Sequence, residues 1–134
     1  MAGESNIELV RAGFDALNAG DLDACMERAS PDLIINLAEL PEPLHGRGIW
    51  REGAAMFRRA FPDLHAEIED IFASGDRVAV RLRMRGTHQG EYLGIPASGR
   101  SLSYVSHEFY RVEDGLIAEE WICSDMASLL RQIA

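Results

Sequence analysis

The hydrophobic positions in the first part of the chain recur with the period of an α-helix. A first helix is indicated by one apolar stripe, formed by Ile7, Val10, Phe14 and Leu17. Ser5 followed by Glu8 forms a capping box, which predicts that this helix begins at Ser5, and Gly20 ends it. Asp21 predicts the N-cap of a second, short helix, and a third helix is predicted over about residues 49–60.

From His65 onward the apolar residues alternate, which is the period of a β-strand. Gly75-Asp76 separates two alternating segments and predicts a hairpin, and further strands are predicted at residues 33–37, 101–112 and 116–124. A short helix closes the chain. This order predicts an α+β fold, in which helices pack on one face of a mainly antiparallel curved sheet. Such a cone-shaped sheet encloses a pocket.

Length and charge narrow the class of protein. A chain of 134 residues fits one domain, residues 1–134. The net charge of -9 argues against a nucleic acid or an anionic membrane as partner. The chain has no lysine, which excludes a Schiff base on a lysine amine. The N-terminus lacks the pattern of a signal peptide, so a cytoplasmic, soluble protein is expected.

The residue types that bind metals are scattered. His45, His65 and His88 have no partner at metal-ligand spacing, so a metal site is not expected. Cys25 and Cys123 are expected to be buried, small apolar side chains rather than a disulfide or a nucleophile.

Asp125 is the first candidate for chemistry, because it follows the last predicted strand and precedes the last helix. In that position it is either the N-cap of the helix or a catalytic base. His107 lies on the preceding strand, where it shares the face of the odd-numbered residues with Phe109 and Arg111. If that face lines the pocket, as its valine and phenylalanine suggest, His107 comes close to Asp125. A core or interface position is the alternative for this histidine.

Other side chains are candidates for the pocket wall. Asn36 interrupts an apolar strand, so it is either a structural hydrogen-bonding residue or a donor in the pocket. Four aromatic residues offer flat apolar surface for an aromatic or polycyclic ligand, with plain core packing as the alternative for each: Phe14, Trp50, Tyr92 and Trp121.

Four segments of the chain resemble the SnoaL-like polyketide cyclase family, within the superfamily of nuclear transport factor two and ketosteroid isomerase. They are Phe61-Pro62-Asp63-Leu64, Gly86-Thr87-His88-Gln89-Gly90, residues 94–100, and residues 111–121 followed by Asp125. The resemblance covers nearly the whole chain. It implies an α+β cone that pairs into a homodimer or homotetramer, and ring closure of an aromatic polyketide without metal or cofactor.

The same resemblance implies roles for individual residues. Asp125 matches the family's acid/base aspartate, and the polar pocket residues map onto Asn36 and His107, with Phe109 or Arg111 as the other positions for the second of them. The expected reaction is an intramolecular aldol addition, in which a buried Asp125 removes a proton and His107 and Asn36 stabilise the oxyanion. Two alternatives stay open, namely a hydroxylase or hydroxylase component acting on an aromatic polyketide, and a non-catalytic domain that binds small molecules.

Overall fold

A computed structural model describes residues 2–134 as helices at one side of a single six-stranded sheet. The helices are α1 (Ala2–Asn18), α2 (Leu22–Glu27), α3 (Arg47–Ala60) and α4 (Met126–Ile133). The strands are β1 (Ala29–Leu37), β2 (Leu44–His45), β3 (His65–Ser74), β4 (Arg77–Thr87), β5 (Ser101–Glu113) and β6 (Leu116–Ser124). The predicted α+β fold is confirmed.

The sheet has the order β2-β1-β6-β5-β4-β3 and is mixed. β3, β4, β5 and β6 form an antiparallel meander, whereas β1 pairs with β6 in parallel. The sheet is not closed, because β2 and β3 form its two edges. The parallel pair places the inner face of β1 beside the inner face of β6, where the helices cover both.

Two element boundaries differ clearly from the sequence-based prediction. α1 begins at Ala2, so Ser5 lies inside the helix and the predicted capping box is wrong. Ala2 and Glu4 continue the helix upstream because both favour helical backbone. β1 begins at Ala29 and includes Pro31 within an irregular stretch of its pairing, a place where a strand tolerates proline.

A main core lies between the sheet and helices α1 and α4. Its largest fully buried side chains include Phe61, Leu82, Leu129 and Ile133. Cys25 is buried as predicted, but Cys123 is exposed, because residue 123 has the parity of the outer face of β6. The prediction that Cys123 is a buried apolar side chain is therefore wrong.

The segment between β4 and β5 is held against the end of α3. The backbone N–H groups of Gln89 and Gly90 both donate to the carbonyl of Ala60, at 3.0 Å each. A Cβ atom at Gly90 would lie 2.3 Å from the carbonyl oxygen of Arg59, so only glycine permits this approach. The contact brings Tyr92 against Phe57 and Phe61, at ring-centroid distances of 5.4 and 5.3 Å.

Candidate active site

A cavity of about 360 Å³ opens between the inner face of the sheet and helices α1, α2 and α3. Most of its wall is apolar, with leucine, isoleucine, methionine and aromatic side chains from all three helices and from β1. This size and character suit a small organic ligand. The polar and charged groups in the wall are few, so each of them bears on what the cavity can do.

The even-numbered side chains of β5 face this cavity. Leu102, Tyr104, Ser106, Glu108, Tyr110 and Val112 are all buried. Tyr104, Glu108 and Tyr110 line the cavity directly. The prediction that the odd-numbered face of β5 lines the pocket is therefore wrong. Two tyrosines, a leucine and a valine on the even face offer more apolar area than Val105 and Phe109 do, and this larger area is the face that becomes buried.

Glu108 lies at the centre of a buried polar network on that face. One carboxyl oxygen, Oε1, accepts from the hydroxyl of Tyr110, and Oε2 accepts from the hydroxyl of Ser106 at 2.7 Å. The Ser106 hydroxyl lies 2.9 Å from that of Ser124 on β6. Burial raises the pKa of Glu108, and the bonds from Tyr110 and Ser106 partly oppose that rise. Since both oxygens accept hydrogen bonds, the carboxyl group is fixed in orientation.

Glu120 supplies a second buried carboxyl group to the same wall. It pairs with Tyr110 across β5 and β6, and its side chain is only 4% exposed. Desolvation, with a smaller contribution from the charge of Glu108, raises the pKa of Glu120 to about 8. Its Oε1 atom is buried and has no hydrogen-bond partner among the residues that the structure describes. Glu120 therefore combines a place in the cavity wall, a raised pKa and a carboxyl oxygen without a described partner.

Asp125 occupies a different environment. Its side chain is exposed, does not line the cavity, and accepts a hydrogen bond from the backbone N–H of Ser128 at 3.1 Å. The capping geometry predicted as one alternative for this residue is present. The expectation that Asp125 is buried is wrong, because the inner-face parity of β6 runs through Glu120, Ile122 and Ser124 and leaves Asp125 outside.

Five other candidates from the sequence lie away from the cavity, on the outer face of the sheet. His107 and Phe109 are exposed and border a shallow depression there, and the guanidinium of Arg111 contacts Glu119 and Glu113. Trp121 pairs with Phe109 and lies under the guanidinium of Arg77 at 5.1 Å. Their expected place in the pocket is wrong for the same reason of strand parity.

Asn36 is the fifth of these candidates, and it has a structural contact. Its Nδ2 donates to the carbonyl of Glu120 and to the carboxylate of Glu119, at 3.0 Å each. Asn36 therefore acts on the cavity only through the backbone of β6, which it holds at the position of Glu120.

The structure places the remaining candidates, Phe14, Trp50 and Tyr92, in the cavity wall. Phe14 packs edge-on against Tyr110, with 6.3 Å between ring centroids. Burial raises the pKa of Tyr92, so its hydroxyl is neutral. Contact of these three rings with a substrate stays a prediction.

Sequence reasoning missed Glu108 and Glu120. The signal that could have found them is parity: each shares its strand face with buried apolar or aromatic side chains. Glutamate is ordinarily an exposed residue, so its presence on such a face marks a group with a special environment. Within residues 2–134, no cluster of histidine, cysteine, aspartate or glutamate side chains has the arrangement of a metal site. No helix in that range is long and apolar enough to cross a membrane.

Comparison with known proteins identifies the family that this arrangement belongs to. Residues 7–133 match the family of SnoaL-like polyketide cyclases. The chain belongs to this family. The match includes most of α1 and every other helix and strand, so the cavity and its two buried carboxyl groups lie within the family's fold.

Two curated relatives are cyclases. The chain is 28% identical to aklanonic acid methyl ester cyclase DnrD of Streptomyces peucetius, over 96% of this chain and 90% of that protein. It is 29% identical to aklanonic acid methyl ester cyclase DauD of Streptomyces sp. strain C5, over 95% of this chain and 80% of that protein.

Solved structures with the same fold include two from Streptomyces species. IdmH of Streptomyces antibioticus, provisionally assigned as a polyketide cyclase, is 34% identical with a TM-score of 0.84, over 95% of this chain and 96% of that one. AclR of Streptomyces galilaeus, provisionally assigned as a hydroxylase, is 30% identical with a TM-score of 0.87, over 96% of this chain and 94% of that one.

Proposed function

We propose that this protein closes a ring of an aromatic polyketide by intramolecular aldol addition, without a cofactor, and that Glu120 is its acid/base group. The observation that carries the assignment of Glu120 is its buried carboxyl oxygen, which has no described partner and belongs to a mostly apolar cavity wall. The family and its cyclase relatives support the reaction class.

In the proposed reaction the Glu120 carboxylate removes a proton from a substrate carbon flanked by two carbonyl groups. The resulting enolate carbon attacks a ketone carbon of the same molecule, a carbon–carbon bond forms, and the ketone oxygen becomes an alkoxide. Glu120 then returns the proton to that alkoxide. Atoms and electrons balance without an oxidant, because the product is an isomer of the substrate. A base with a pKa near 8 can accept and return a proton at neutral pH.

Glu108 and its hydrogen-bond partners support the role of Glu120 as the acid/base group. Tyr110 lies opposite Glu120 and donates to Glu108, so the two carboxyl groups are diagonal neighbours on adjacent strands. A charge on Glu108 disfavours a charge on Glu120, which makes the Glu120 carboxylate a stronger base. We assign Glu108 the role of a positioning residue.

The acid/base group inferred from the family resemblance is Asp125, and its geometry argues against that role. It is exposed and outside the cavity, whereas Glu120 is buried and inside it. Desolvation makes a carboxylate a stronger base, and of these two residues only Glu120 is desolvated.

The test uses aklanonic acid methyl ester, the compound in the names of both curated relatives, and a panel of related polycyclic ketones. Glu120→Gln should lower kcat by about 10² to 10⁴, the usual effect of removing a general acid–base group. Glu119→Gln is the matched control, because its side chain faces the outer side of the same strand, where it contacts Arg111 and Asn36. Its turnover should equal that of the wild type.

Other outcomes assign other functions. Full turnover in Glu120→Gln, combined with loss in Asp125→Asn, would return the base to Asp125. The resemblance to AclR keeps a hydroxylase as the second candidate, and that reaction adds an oxygen atom and consumes O₂. A product of unchanged mass formed without oxygen consumption supports the cyclase. Binding of the ketones without turnover would instead indicate a binding domain.

A further inference from the structure

Arg28 occupies a distinctive position in the cavity wall. It is the C-cap residue of α2 and immediately precedes β1, and its side chain is half-buried. Among the described residues that line the cavity, Arg28 is the only arginine, lysine or histidine. The wall also contains the carboxyl groups of Glu39, Glu108 and Glu120, so Arg28 is the one fixed positive charge beside three acidic side chains.

The guanidinium of Arg28 uses few of its N–H donors in hydrogen bonds to the described residues. Its Nη1 donates to the carbonyl of Ala24 at 2.7 Å, which fixes the side chain in place. No carboxylate in residues 2–134 lies within ion-pair distance of it, unlike Arg81, Arg85 and Arg111. A guanidinium carries five N–H groups, so most of them stay available to a ligand. The nearby Cys25 thiol also lines the cavity, and the charge of Arg28 partly opposes the rise that burial causes in its pKa.

Arg28 and Glu120 lie at separate points along the same pair of strands. The carbonyl of Arg28 accepts from the N–H of Ile117, at the start of β6. Glu120 follows three residues later, and a strand rises about 3.3 Å per residue, so about 10 Å separates the two positions along the sheet. This spacing is comparable to the length of a fused aromatic ring system. Because both residues line the same cavity, a polycyclic molecule bound there can contact both.

We propose that Arg28 binds an oxyanion of the substrate, either a carboxylate or an ionised phenol, and so fixes which end of the polyketide lies beside Glu120. The protein carries a net charge of -9, which repels an anionic ligand unless a local cation offsets the repulsion. Arginine suits this role because its planar fork matches a carboxylate in a bidentate pair. The assignment of which end of the substrate reacts rests on the proposed function, whereas the binding of an oxyanion by Arg28 does not.

The experiment measures binding by calorimetry, with two matched pairs of probes. Anthraquinone-2-carboxylic acid is compared with anthraquinone-2-carboxamide, and 2-hydroxyanthraquinone at a pH where it is ionised is compared with 2-methoxyanthraquinone. The wild type should bind at least one anionic probe about tenfold more tightly than its neutral partner. The pair that shows the preference tells a carboxylate from a phenolate.

Arg28→Gln should remove this preference, while Arg28→Lys keeps the charge and should retain part of it. Arg47→Gln is the matched control, since Arg47 is also half-buried and donates to the carbonyls of Met26 and Ala29 in the same segment, but does not line the cavity. It should keep the full preference. Thermal unfolding of each variant verifies that the fold is intact, and Arg28→Lys provides the comparison if Arg28→Gln fails to fold.

Absence of any preference in the wild type would overturn the proposal, and so would an unchanged preference in Arg28→Gln. An equal loss in Arg47→Gln would show that the effect comes from the segment and not from the cavity. Glu120→Gln keeps the two proposals apart: it should lose turnover yet keep the preference for the anionic probe. A wild type that prefers the anionic probe but turns nothing over would leave Arg28 as an anion-binding residue and refute only the cyclase.

Discussion

Replacing Glu120 with glutamine should change how the stability of the protein depends on pH. The pKa of Glu120 is about 8 in the folded protein against an ordinary value of 4.5. The folded state therefore holds a proton that the unfolded state releases between about pH 5 and pH 8. Because the pKa is raised on folding, the stabilising effect is complete below the ordinary pKa and is lost as the pH rises toward 8.

The size of the effect follows from linkage. One proton costs about 1.4 kcal/mol of unfolding free energy for each pH unit in that window, which amounts to about 3 kcal/mol at pH 7. Glutamine does not titrate, so it removes this loss. It also buries an amide that needs partners, at a cost of about 1–3 kcal/mol that does not depend on pH. The slope against pH, rather than the stability at one pH, is the informative quantity.

Urea unfolding followed by tryptophan fluorescence, at several pH values from about 5 to 9, measures this slope. The difference in unfolding free energy between Glu120→Gln and the wild type should rise in favour of the variant by about 1.4 kcal/mol per pH unit, and level off above pH 8. Glu119→Gln should follow the wild-type curve, because its side chain lies on the outer face. Parallel curves for Glu120→Gln and the wild type would refute the raised pKa, and with it the argument for Glu120 as the base.

Four further outcomes are expected. Wild-type turnover should rise with pH through a midpoint near 8, because the base acts when it is ionised. Glu108→Gln should move that midpoint to lower pH, because it removes a like charge. An unmoved midpoint would show that Glu108 does not influence the pKa of the base. Asp125→Asn should keep both stability and turnover, whereas Asp125→Ala should lose about 1 kcal/mol of stability because the helix loses its N-cap. A collapse of turnover in Asp125→Asn would identify Asp125 as the base. Light scattering should find a homo-oligomer, since Phe72 and Phe109 are 60% and 54% exposed on the outer face of the sheet. Phe109→Asp should dissociate this oligomer, and a monomeric wild type would contradict the prediction. Purified protein should contain no stoichiometric metal, and activity lost to a chelator and restored by one metal ion would overturn the cofactor-free mechanism.

Much of the fold follows from local sequence patterns. The change from helical to alternating period separates the helices from the sheet, and Gly75-Asp76 and the turn before Leu116 define the two hairpins. These features depend on neighbouring residues only, so the sequence predicts them well. The segments shared with the cyclase family also come from the sequence. Boundaries such as the start of α1 are less well determined, since nothing local stops a helix that Ala2 and Glu4 favour.

The candidate site depends on a choice that the sequence leaves open, namely which face of β5 and β6 is buried. A strand with side chains of mixed character on both faces can place either inside, and a shift of one residue exchanges His107 for Glu108. The helices settle this choice, because they cover the face that buries the most apolar area and carry Glu108 and Glu120 inside with it. The raised pKa of Glu120 arises from that burial. Residue type and order were thus determined by the sequence, whereas the environment that gives a glutamate its chemistry was decided by tertiary packing.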